Sequence, residues 1–162
     1  MGLCRWLERR VLVSIHVPKT GGRSFEEVLR QAHGSGLVLD HPWDQARPFV
    51  RRGASRWNGI ANWRGLDGIR CIHGHFPYRK YQGLRLSPLI RTDFVVWLRH
   101  PVERAISTYF YLRRVPSTHN VEAPWEADAR AMEPDQFFSR WVQDDISKQL
   151  AGAPLRSFAF VG

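Results

Sequence analysis

The chain alternates short, dense apolar runs with stretches in which apolar residues recur every three or four positions. Val11 to Val17 (VLVSIHV) is continuous and β-branched, and reads as a strand buried on both faces, as in a parallel sheet. Pro18 to Gly22 (PKTGG) breaks the run with turn residues. The period then changes. From about Ser24 to His33, Phe25, Val28, Leu29 and Ala32 mark one face of a helix. Ser24 is placed to cap it, Glu27 follows three residues later as in a capping box, and Gly34 suits its end. Residues 41–66 follow neither period and are rich in Trp and Arg. Ile69 to Ile72 reads as a second strand and Phe94 to Leu98 as a third. Pro101 suits the first position of a helix running to about Arg114, with Val102, Ala105, Ile106 and Tyr109 as its apolar face. Val115 to Pro134 carries turn residues and reads as a loop, and Asp135 to Val142 as a helix. Phe158 to Val161 has the pattern of a strand whose continuation is expected beyond Gly162. The alternation predicts an α/β fold around a central parallel sheet, in one domain over residues 1–162, incomplete at its C-terminal end.

Composition narrows the classes. An apolar share of 43% with 12% aromatics excludes a disordered chain. Lys and Arg number 24 against 15 Asp and Glu, a formal net charge of +9, which favours anionic partners. No run approaches the ~20 apolar residues of a membrane span. The N-terminus lacks the apolar stretch of a signal peptide, so a soluble, cytoplasmic protein is expected. The two cysteines, Cys4 and Cys71, have neither CxxC spacing nor a His/Cys cluster beside them, which argues against zinc. Cys71 lies in an apolar run and is expected to be a buried thiol.

Three motifs carry chemistry. In His16-Val17-Pro18-Lys19-Thr20-Gly21-Gly22-Arg23-Ser24 a strand feeds a glycine turn and then a helix N-terminus. That arrangement makes an anion site, because backbone N–H groups and the helix dipole face outward and glycine admits the ligand closely. Lys19 adds a full charge, and Thr20 and Ser24 add hydroxyls. A nucleoside triphosphatase loop places its lysine after the glycines, and here it comes before them. In the second motif, Leu98-Arg99-His100-Pro101 through Ser107, Arg99 stands where a strand ends and Ser107 about two helical turns on. A guanidinium fork and a hydroxyl together suit a terminal phosphate. The third, His73-Gly74-His75, puts two histidines on one side of an extended chain, and histidine is the natural base near neutral pH. No third ligand is placed for a metal.

PKTGGRSF after one strand and LRHPVERAISTYFYLR after a later one together resemble the nucleotide-binding pair of the sulfotransferases that use 3′-phosphoadenosine-5′-phosphosulfate (PAPS). The resemblance is strongest to carbohydrate sulfotransferases of the heparan sulfate 2-O-sulfotransferase kind and their bacterial relatives. It implies a P-loop-like three-layer fold, PAPS as co-substrate and no metal. Lys19 would meet the phosphosulfate. Thr20, Gly21, Gly22, Arg23 and Ser24 would wrap the 5′-phosphate, and Arg99 and Ser107 would hold the 3′-phosphate. Such relatives carry a similar HGH, which implies His75 as the general base with His73 as a supporting or alternative base. The acceptor would be an acidic or neutral glycan rather than nucleic acid, with Arg51, Arg52, Arg56, Trp57, Trp63 and Arg64 as a groove for it; small-molecule and lipid acceptors stay open. Two other readings stay open: a truncated, inactive relative that binds anions or glycans, and a P-loop small-molecule kinase. Oligomeric state is not legible in the sequence.

Overall fold

The computed structural model describes residues 9–41, 66–86, 90–114, 122–141, 150 and 158–161. The chain divides into two compact units, Met1–Leu98 with Ile146–Gly162, and Arg99–Asp145.

The first unit is built on a five-stranded sheet. Its strands are β1 (Arg9–Ile15), β2 (Leu37–Asp40), β3 (Cys71–Gly74), β4 (Ile90–Val96) and β5 (Phe158–Val161). They lie in the order β2-β3-β1-β4-β5, and every pairing is parallel. This is the expected α/β class with a central parallel sheet. The central position of β1 explains its composition: Val11, Val13 and Ile15 are buried, and so is Ser14 between them. Ile72, Phe94, Val96, Tyr78, Tyr81 and Leu84 complete the core around it. Cys71 lies in β3 as a free, buried thiol, and burial pushes its pKa up to about 12.

Helix α1 (Gly22–His33) follows β1 and ends at Gly34, whose φ of 50° suits glycine. It starts two residues earlier than its periodicity predicts. Its N-cap is Gly21 and no side chain caps it, so the Ser24–Glu27 capping box does not form. Ser24 lies inside the first turn, where its N–H already meets the carbonyl of Gly21. Of the expected apolar face, Leu29 is buried and Phe25 half-buried, while Val28 is exposed.

Strand β2 carries no sequence signal beyond three apolar residues, and it is recruited by pairing with β3. The expected strand at residues 69–72 falls two residues later, at Cys71–Gly74, because Ile69 closes a turn onto Leu66. Strand β4 begins four residues before the predicted Phe94.

The second unit consists of α2 (Pro101–Arg114), α3 (Pro124–Ala131) and α4 (Pro134–Trp141). Helix α3 occupies a stretch whose turn residues suggested a loop; Pro124 and Glu126 open it instead of ending a segment. Tyr109 is the buried centre, packed with Ala129 and Phe137, and its hydroxyl donates to the carbonyl of Met132 at 2.9 Å. Of the predicted α2 face, Tyr109 is buried and Ala105 half-buried, while Val102 and Ile106 are exposed. Among the described residues no helix is long and apolar enough to cross a membrane. Cys4 and the suggested groove from Arg51 to Arg64 lie outside the described residues.

Candidate functional site

The parallel register brings four strand ends level. Ile15 of β1 stands beside Gly74 of β3 on one side and Val96 of β4 on the other, and Asp40 of β2 stands beside Gly74. Ligands of open α/β sheets bind at this carboxyl edge. Three neighbouring strands each end one residue before a histidine: His41 after β2, His75 after β3 and His16 after β1. Their rings form a row. His16 stacks on His75 with centroids 4.1 Å apart and planes 25° apart, and His41 lies 5.4 Å beyond His75. On its other side His16 stacks on His73 at 5.2 Å. Both predicted histidines of the HGH motif therefore meet here, with His16 between them.

The two have different surroundings. His73 is fully buried, with its Nδ1 2.9 Å from Ser14 Oγ and the ring of Phe25 edge-on at 6.0 Å. His75 is half-buried, and its Nδ1 lies 2.9 Å from the backbone oxygen of His16. A carbonyl only accepts, so Nδ1 of His75 carries the proton and Nε2 is the lone-pair nitrogen. Burial lowers the pKa of all three rings. His16 falls to about 3, through burial and then the neighbouring His75 and His73. His73 falls to about 4, chiefly through burial. His75 is lowered by burial, with its bond to the His16 carbonyl acting the other way. All three are neutral imidazoles at neutral pH.

Two glycines make this packing possible. A Cβ on Gly22 would lie inside the imidazole of His16, and one on Gly74 would lie on the carbonyl of Asp40. Glycine at 22 thus lets the first turn of α1 sit directly on the histidine stack. Glycine at 74 lets β2 close against β3.

The turn from Pro18 to Gly22 leads from His16 into α1. Lys19 adopts φ 67°, a left-handed conformation that costs a lysine energy and clusters at functional turns. Thr20 Oγ1 donates to the carbonyl of Val17 at 2.7 Å and closes the turn. Gly21 has φ 87° and open space where a Cβ would point. The N–H groups of Gly22 and Arg23 open α1, where no carbonyl four residues back lies within the helix. The loop side chains Lys19, Thr20, Arg23 and Ser24 all reach the surface at least in part. The donors and the glycine space fit a phosphate or sulfate group.

Arg99 and Ser107 belong to the second unit. Arg99 is exposed just before α2, and its Nε donates to Glu103 Oε2 at 3.1 Å. Ser107 is half-buried on α2. Sequence reasoning missed His16, His41 and Asp40. His16 was visible as a polar residue ending a buried run. The place of His41 and Asp40 depends on β2, which no pattern announced. Among the described residues no three His, Cys, Asp or Glu side chains form a group able to hold a metal ion.

No protein-family model matches the chain, and neither does any curated protein. Among solved structures it is similar to mouse sulfotransferase SULT7A1 complexed with PAP, with 18% identity and a TM-score of 0.41. The match covers 75% of this chain and 39% of the mouse chain.

Proposed function

We propose that this chain binds PAPS and moves its sulfuryl group to a hydroxyl of a carbohydrate-type acceptor. The observation that carries this reading is the tautomer of His75. Its Nδ1–H is tied to the His16 carbonyl, which leaves the basic lone pair of the ring on Nε2, the atom a general base uses. When bound, PAPS supplies an activated sulfuryl group whose bond to the 5′-phosphate oxygen breaks as the acceptor oxygen bonds to sulfur. The electron pair stays on that phosphate. His75 Nε2 takes the acceptor's proton. Lys19 and the N–H groups of Gly22 and Arg23 face the growing negative charge on the leaving phosphate, with Thr20, Gly21 and Ser24 completing the cradle. Arg99 and Ser107 hold the 3′-phosphate. His73, sealed under His16, supports the stack and does not meet the acceptor. The net charge of +9 favours both an anionic nucleotide and an acidic glycan.

The test is calorimetry of the whole chain with adenosine 3′,5′-bisphosphate and with ATP–magnesium. The bisphosphate is expected to bind, and Lys19→Ala to weaken it by about tenfold or more, the loss of a charge-assisted contact. Preferential binding of ATP–magnesium would favour the kinase reading. Binding without turnover of PAPS would leave an anion-binding module.

A further inference from the structure

Beside the histidine row lies a cleft of about 510 Å³ whose lining includes Asp40, His75, Phe76, Arg79, Lys80 and Gln82. This is within the range of small-molecule sites. Its wall holds a buried carboxylate: the Asp40 side chain is 8% exposed. Lys80 Nζ donates to Asp40 Oδ2 at 2.5 Å, and Tyr81 Oη donates to the same oxygen at 2.6 Å. Burial, and then the bond to Asp40, push the Tyr81 hydroxyl well above its ordinary pKa, so it remains a donor. Both bonds converge on Oδ2, and Oδ1 has no partner among the described residues. The Lys80 ammonium has three donors and gives one of them to Asp40.

We propose that this cleft is the acceptor site and takes a polyhydroxylated ring, a sugar or a cyclic polyol. The assignment rests on the sulfuryl-transfer reading, because it identifies the acceptor with what lies against His75. A hydroxyl both donates and accepts. Two neighbouring hydroxyls match a carboxylate oxygen and an ammonium held side by side, with the Gln82 amide able to serve either way. A flat phenol brings a single hydroxyl, so it can satisfy one of Asp40 and Lys80 while stripping water from the other without return, which costs more than its burial gains. Phe76 and Pro77 supply apolar surface for the C–H groups of the ring. Arg79 is exposed and adds attraction for an acidic substituent without being required.

The experiment is NMR titration of the whole chain, following the His75 ring and the Gln82 side-chain amide. The probes are methyl glucoside, glucuronate and 2-naphthol. Both sugars are expected to shift the two signals, and naphthol to leave them in place. Lys80→Met is expected to weaken sugar binding by about tenfold, as for loss of a charged donor. Gln82→Ala breaks no ion pair and so tests the site even if Lys80→Met folds poorly; a loss of about threefold is expected. Naphthol shifting these signals in preference to the sugars would overturn the proposal, as would sugar binding unchanged in both variants. Lys19→Ala separates this inference from the nucleotide assignment. If bisphosphate binds the wild-type chain and that variant equally while the sugar shifts respond to Lys80→Met and Gln82→Ala, the nucleotide role of the turn fails and the sugar cleft stands.

Discussion

In the first unit, histidines at the ends of three strands lie ring against ring, buried or half-buried, and are held by contacts between residues up to 59 positions apart. In the second unit, Arg99 is exposed and Ser107 half-buried, and the ion pair of Arg99 reaches only four positions along the chain, to Glu103 in the first turn of α2. The first arrangement is fixed from many directions at once, so changing one member disturbs its neighbours. The second is local and solvated, so a change there removes a contact and little else. Function and stability are therefore entangled at the carboxyl edge of the sheet and separable at α2. The predictions below are ordered by size and probe that division.

The largest effect is expected from His75→Ala. Loss of a positioned general base lowers the rate by about 10²–10⁴-fold. Bisphosphate affinity, which the proposed function assigns to the turn from Lys19 to Ser24 and to Arg99 and Ser107, is expected to change far less. Single-turnover transfer from labelled PAPS to a glycan mixture, with calorimetry alongside, checks both. Transfer at near wild-type rate would remove His75 from the base role.

Next is acid sensitivity. His16 and His73 have folded-state pKa values of about 3 and 4, below the ordinary 6.5 that they regain on unfolding. Above pH 6.5 both states leave them neutral and the histidines cost nothing. As the pH falls from 6.5 toward 4, the unfolded chain binds protons that the folded chain refuses. Stability then drops by up to about 1.4 kcal/mol per pH unit for each histidine. Urea unfolding between pH 7 and pH 5 measures the slope. His16→Phe keeps a flat ring in the stack and is expected to flatten that slope, whereas no substitution at Arg99 is expected to alter it.

Gly22→Ala comes third. Its methyl group would occupy the space of the His16 ring, which is already sandwiched between His73 and His75 and has nowhere to retreat. Overpacking of this kind costs about 1–3 kcal/mol. The His75 ring signals are expected to shift in the same variant, because the ring that stacks on His75 must move. Gly21→Ala meets no such neighbour, though its φ of 87° still penalises a side chain.

The same contrast explains what the sequence disclosed. Strand β1, the glycine turn and α2 are local patterns and were legible as such. The HGH motif was legible as chemistry, but its glycine was not legible as packing, because the reason for Gly74 is the carbonyl of Asp40 on another strand. Strand β2 was invisible for a related reason. Four residues with modest apolar character become a strand only when β3 offers them an edge. Without β2 nothing predicts that His41 joins the row or that Asp40 walls a cleft. The capping box failed because Gly21, in a left-handed conformation, starts the helix before Ser24 can. Long-range register converts scattered histidines into a site, and register is what a single sequence hides best.

The smallest stability effect is expected at Arg99. Its guanidinium pairs with Glu103 in the open, and such pairs contribute about 0.5 kcal/mol or less. Arg99→Ala is therefore expected to leave the melting temperature almost unchanged. If Arg99 holds the 3′-phosphate, the same variant weakens binding of adenosine 3′,5′-bisphosphate by about tenfold or more, the loss of a charge-assisted fork. Adenosine 5′-monophosphate, which lacks that phosphate, is expected to bind the variant and the wild type alike. The difference between the two nucleotides isolates the role of Arg99 from any general loss of positive charge. Equal weakening for both would reduce Arg99 to a member of a diffuse basic surface, and the phosphate contact would have to be sought elsewhere in the chain.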